Sequence, residues 1–112
     1  EAPVWDIAEK FGDETTLLVT NMDHSRDLAR CMDCHRVALM RGHGNVCVGD
    51  SIKLAVFRAI YTEQNARMQL AARALDGPIT FIDEAEGEYC NQMIAATCDR
   101  PWRMWKKKVG MG

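Results

Sequence analysis

The sequence predicts an α/β fold, a sheet flanked by helices, and three observations carry that expectation. The first half is cut into short runs of β-branched and apolar residues by glycines and turn-forming residues, the pattern of short strands. At Ser51 the apolar spacing changes to that of a helix and keeps it for more than five turns. Two further helix-like stretches, each with its own start signal, close the chain. With 112 residues the chain is one domain in size, with enough length for one modest core.

The elements follow in order. "APVWDI" is rich in strand formers, with Pro3 at its start, where a missing N–H costs little. "FGDE" reads as a turn, and "TTLLVT" (15–20) as a second strand. In "DHSRDLARCM" (23–32), Leu28, Ala29 and Met32 have helical spacing, and Asp23 or Ser25 is placed to cap the start. "RVALM" (36–40) is a compact apolar run that reads as a buried strand. "RGHGNVCVGD" then places His43 between Gly42 and Gly44, a tight bend, with "NVCV" as the returning strand.

From Ser51 or Asp50 as cap, Leu54, Phe57, Tyr61, Met68 and Ala72 mark one face of a long helix, widened by Val56, Ile60 and Leu75. "DGP" (76–78) stops it, with Gly77 suited to the position just past the end and Pro78 forbidding continuation. "ITFI" (79–82) reads as a short extended piece. "DEAEGEYCNQMIAATC" reads as a helix whose positive end is met by Asp83, Glu84 and Glu86. From Pro101, "PWRMWKKK" reads as a short helix with Trp102 and Trp105 on one face.

Composition narrows the function classes. Net charge is -2, from 14 basic and 16 acidic residues, which argues against nucleic acid as a partner. The basic run of Arg103, Lys106, Lys107 and Lys108 reads as a solvated helix end. No apolar run approaches the ~20 residues of a membrane span, and no signal peptide is visible. Five cysteines, at 31, 34, 47, 90 and 98, are an odd number at irregular spacing, which points to reduced thiols in a cytoplasmic protein.

"CMDCHR" contains Cys31-x-x-Cys34-His35, the spacing of c-type haem attachment. That would make the chain a c-type haem protein, but a strand, a glycine bend and a second strand follow the motif directly, which does not suit a small helical cytochrome. No second CxxC completes a zinc site. The pair sits at a helix C-terminus, the end that does not lower a thiol pKa. Two small thiols packed at a helix-to-strand corner is the reading that remains.

His43 is the residue whose placement suggests chemistry. Two glycines fix its backbone between two apolar strands, which presents one imidazole at a sheet edge, suited to a metal ligand or a general base. The alternative is a histidine that merely caps a turn.

The stretch 37–87, "VALMRGHGNVCVGDSIKLAVFRAIYTEQNARMQLAARALDGPITFIDEAEG", resembles the C-terminal half of the class II aldolase/adducin family. The strand into "RGHG", the return strand ending at Val48-Gly49, the long helix and "DGPITFI" follow in the expected order. "APVWDI…GDETTLLV" and "RDLARCM" resemble the segments that precede this point, and "RPWRMWKKK" is similar to the tail of some bacterial members. The resemblance implies a mainly antiparallel sheet flanked by helices, and a metal-dependent carbon–carbon lyase, aldolase or decarboxylase, whose metal acts as a Lewis acid on substrate oxygens and stabilises an enolate-like intermediate. The "LMRGHGNV" and "RPWRMW" segments lean towards the decarboxylase and bacterial branch. The resemblance also admits a non-catalytic, adducin-like binding module.

In that resemblance His43 matches the last metal-ligating histidine. The metal is zinc first, with iron, manganese or cobalt as other candidates. The family's upstream HxH pair and catalytic carboxylate have no counterpart here; His24 and His35 match no ligand position. The expectation is therefore that residues 1–112 are the C-terminal portion of a single family domain, that a missing N-terminal half or second polypeptide carries the other ligands, and that the assembly is a homotetramer. Arg41 is a candidate for a substrate carboxylate or phosphate, with a structural pairing at the bend as its alternative. Tyr61 and Asn65, one turn apart on the long helix, are placed to face the site, Tyr61 as a further candidate for substrate binding, or a neighbouring subunit, with packing in the core or at an interface as the alternative for both. Trp102 and Trp105 close over a substrate or pack on a partner, and Glu63, Asp83, Glu84 and Glu86 read as surface charge. The substrate is a small carbonyl or carboxylate compound.

Overall fold

The computed structural model describes residues 2–111. The chain divides into two compact units, one ending at Gly49 and the other starting at Asp50.

The first unit holds strand β1 (Val4–Trp5), helix α1 (Ile7–Phe11), helix α2 (Met22–Met32), and strands β2 (Val37–Met40) and β3 (Gly44–Cys47). The sheet order is β1-β2-β3. β2 and β3 run antiparallel, as the glycine bend predicts, with Val37 opposite Cys47 and Met40 opposite Gly44. β1 and β2 are parallel, Val4 opposite Leu39 and Trp5 opposite Met40, so the sheet is mixed. The physical reason lies in the connection: two helices separate β1 from β2, and a crossover of that length returns the chain in the same direction.

The sequence expectation of a strand at 15–20 is corrected. No strand forms there, because Leu17 takes a left-handed backbone conformation (φ 60°) that interrupts an extended run. The residues after "APVW" are corrected too: Asp6 accepts a hydrogen bond from the Ala8 N–H and starts α1, where the composition suggested strand. Helix α2 is capped neither by Asp23 nor by Ser25. Asn21 does it, its side chain accepting from the N–H groups of Asp23 and His24.

Alternation along β2 decides the core. Ala38 is wholly buried and Met40 nearly so, while Leu39 is on the exposed face. Trp5, Ile7 and Met40 form the centre, with Phe11, Leu17, Leu28 and Cys31 packed around them. The Trp5 indole N–H donates to Asp27 at 3.0 Å, so the one polar atom of this large core residue is satisfied.

The second unit is helical: α3 (Ile52–Arg73), α4 (Glu84–Thr97) and α5 (Asp99–Lys108). Ser51 caps α3 by accepting from the Leu54 N–H. The helix ends at Arg73, before the expected stop. Its last bonds tighten to three-residue turns, Ala74 N–H to Ala71 and Leu75 N–H to Ala72. Asp76, not Gly77, then takes the left-handed conformation (φ 48°). "ITFI" is irregular rather than extended strand, and Phe81 and Ile82 are exposed. Asp83 and Glu86 make a reciprocal capping box at the start of α4.

α4 and α5 are separated by one residue, Cys98. Pro101 explains the break. Without an N–H it cannot bond the carbonyl four residues back, at Thr97, where α4 ends. The core of this unit is Leu54, Phe57 and Cys98, with Ile94 and Trp105 against it. Beyond its first turns α3 has little covering it: Met68 and Leu70 are 61% and 70% exposed. Among the described residues, no helix is long and apolar enough to cross a membrane.

Candidate functional site: the Arg41–His43 hairpin

The β2–β3 connection is a three-residue loop of Arg41, Gly42 and His43, closed by the pairing of Met40 with Gly44. The His43 N–H donates to the Met40 carbonyl at 3.1 Å, which tightens the turn. Gly42 has φ 67°, a conformation that costs an L side chain about 1–2 kcal/mol. A Cβ there would also meet Leu17 Cδ1 at 3.0 Å. "RGHG" is thus a local folding instruction as well as a motif, since the glycine before the histidine permits both the turn and the close approach of Leu17.

His43 is exposed, and its imidazole makes no hydrogen bond or ion pair among the described residues. Both ring nitrogens are therefore open to an external partner, one as acceptor in the neutral form. The backbone placed between two strands is the geometry the sequence suggested.

Arg41 shares the loop and has a partner of its own. Its Nε donates to Asp6 Oδ2 at 2.5 Å, and its backbone N–H donates to the Trp5 carbonyl at 2.9 Å. The bond to Arg41 holds the Asp6 carboxyl below its ordinary pKa, helped by the Ala8 N–H. The same bond raises Arg41, and the charges of Asp13 and Glu9 add to it. The ion pair with Asp6 is the structural pairing at the bend that the sequence offered as the alternative role of Arg41. Asp6 escaped the sequence reading. Its only signal was a helix-capping residue type directly after a strand, and that does not reveal a partner 35 residues away.

Tyr61 belongs to the second unit. Its ring stacks on Phe57 at 4.3 Å and lies 6.4 Å from Trp105, and it is 39% exposed. Asn65 is exposed one turn further on. Trp105 is committed to the Phe57 cluster.

The haem-like motif divides between two environments. Cys31 packs on the first core while Cys34 is exposed. The His35 Nδ1 lies 3.2 Å from the Met32 carbonyl of the preceding turn. Among the described residues no group of three or more His, Cys, Asp and Glu side chains is arranged to hold a metal.

The hairpin lies within a stretch that is similar to known proteins. Residues 3–70, which include all of the first unit's elements and most of α3, match the class II aldolase and adducin N-terminal domain. The chain is 35% identical over 130 residues to the decarboxylase tropJ of Talaromyces stipitatus, an alignment covering 98% of this chain and 49% of that protein. It is 31% identical over 72 residues to a 3,4-dihydroxyphthalate decarboxylase of Rhodococcus jostii, covering 64% of this chain and 30% of that protein. It therefore spans about half the length of the first relative and about a third of the second. With a domain match over more than half its residues, the chain belongs to the class II aldolase/adducin family.

Proposed function

We propose that this chain contributes one metal-ligating side chain, His43, to a divalent-metal-dependent carbon–carbon lyase, and that the reaction is decarboxylation of a small carboxylate substrate. The observation that carries the reading is the exposed, unpartnered imidazole at the tip of the β2–β3 hairpin, within the family match. The names of both relatives support decarboxylase over aldolase.

Tight zinc or iron binding takes about three protein donors, and no cluster of that size exists among the described residues. Taken alone they do not fit the ion. The reading requires further ligands from another polypeptide segment or a second subunit. Residues 1–112 would then be the C-terminal portion of a family domain, assembled as a homo-oligomer, a tetramer in the form proposed. Zinc is the first candidate metal, with iron, manganese and cobalt behind it. The same shortage of donors supports a second reading, an adducin-like binding module with no chemistry.

Release of carbon dioxide from 3,4-dihydroxyphthalate and related aromatic acids, by the natively purified protein, separates the two readings. Under the lyase reading His43→Ala loses activity by more than the ~10–100-fold that deleting an outer-shell partner costs. Activity unchanged by His43→Ala overturns the role given to His43, and activity absent from the wild type on every acid offered leaves the binding module.

A further inference from the structure

We infer that Asp6 is a positioning residue for His43, acting through Arg41, with Leu17 as a second brace on the same hairpin. The inference rests on the reading of His43 as the functional donor, and goes beyond it by naming what holds that donor in place.

Three observations from different parts of the first unit converge on one loop. Arg41 is tied on both its backbone and its side chain to consecutive residues, its N–H to the Trp5 carbonyl and its Nε to the Asp6 carboxylate. Asp6 is itself fixed, because its other carboxylate oxygen accepts from the Ala8 N–H at 2.9 Å. Leu17 holds an uncommon positive-φ conformation and sets its Cδ1 against Gly42, where an added Cβ would meet it at 3.0 Å. His43 follows these two anchored residues, and its own side chain is left unbound. A loop whose first residue is held by an ion pair and whose second is braced by a leucine delivers the third at one setting. That is what a ligand or general base needs, since its geometry has to be fixed before its partner arrives.

The tests separate this brace from general stability. Asp6→Asn keeps the helix cap, since asparagine caps as well as aspartate, and removes the charge that holds Arg41. Hydrogen exchange at the His43 amide is then expected to speed up roughly two- to fivefold, the range of an exposed ion pair, and side-chain NMR order parameters of His43 are expected to fall. Arg41→Met does the same, and the double variant is no worse than either single one, as for two residues in one interaction. Lys10→Met is the control: it breaks the Lys10–Asp27 pair of the same unit and leaves His43 at wild-type exchange. Unchanged His43 exchange in Asp6→Asn, or an equal rise in Lys10→Met, would overturn the inference. Both readouts are taken without added metal or substrate. Failure of the reading of His43 as the functional donor, seen as wild-type activity in His43→Ala, is thus distinguishable from failure of the brace.

Discussion

His43 and Gly42 sit side by side and answer to different demands. The imidazole has no internal partner among the described residues, so His43→Ala removes nothing seen to hold the fold, and thermal denaturation should stay within about 0.5 kcal/mol of the wild type. Gly42→Ala touches no donor atom and is expected to destabilise by at least ~1–2 kcal/mol. The new methyl group meets both a positive φ and Leu17. A chemical-denaturation series on the two variants checks this contrast. Equal losses would mean that the histidine is a structural cap after all. The glycine–histidine–glycine motif was legible in the sequence because glycine has few other reasons to flank one polar residue. Asp6 was not legible, because an aspartate before a helix is explained by capping alone.

Among the elements, the ones read correctly were those with a local cause. Helix α3 is read from its 3.6-residue spacing and its Ser51 cap, and α4 from an acidic start that the structure shows as a capping box. Asp83→Ala should therefore cost about 1 kcal/mol, within a range of ~0.5–2. Glu86→Ala should lose less, since it removes only the reciprocal half of the box. Urea melts followed by circular dichroism check both, and no loss in Asp83→Ala would contradict the cap. The elements misread were those decided at a distance. "TTLLVT" has strand composition, yet it gives up extended conformation so that Leu17 can reach the first core and Gly42. β1 is too short to announce its direction, which its pairing with β2 across two helices settles. α3 stops at Arg73 because Asp76 supplies the left-handed turn that Gly77 was expected to supply.

Over the whole molecule, charge ties remote segments together and makes stability depend on acid. Asp6 is held down chiefly by its bond to Arg41, Asp27 by Lys10 and then by the Trp5 indole, and Asp99 by Lys53. Each of these folded-state pKa values lies below the unfolded value of about 3.9. Their contribution is therefore complete above pH ~3.9 and is lost as pH falls through the lowered folded values. Lys53 is raised by Asp99, so its share is complete below the unfolded lysine value of about 10.4 and is lost as pH rises through the folded one. Thermal melts across pH should show a broad plateau at neutral pH and a fall that steepens below about pH 4. Asp6→Asn, Asp27→Asn and Asp99→Asn should each flatten that fall. An acid limb that none of the three alters would contradict the assignment.

The domain-level question is how one histidine serves a metal. Native mass spectrometry of the purified protein, paired with elemental analysis, addresses it most directly. The account predicts an assembly carrying close to one divalent ion per copy of this chain, with the ion lost in His43→Ala while the assembly keeps its mass. Metal content unaffected by His43→Ala, or a metal-free assembly that still decarboxylates its acid, would contradict the role given to His43.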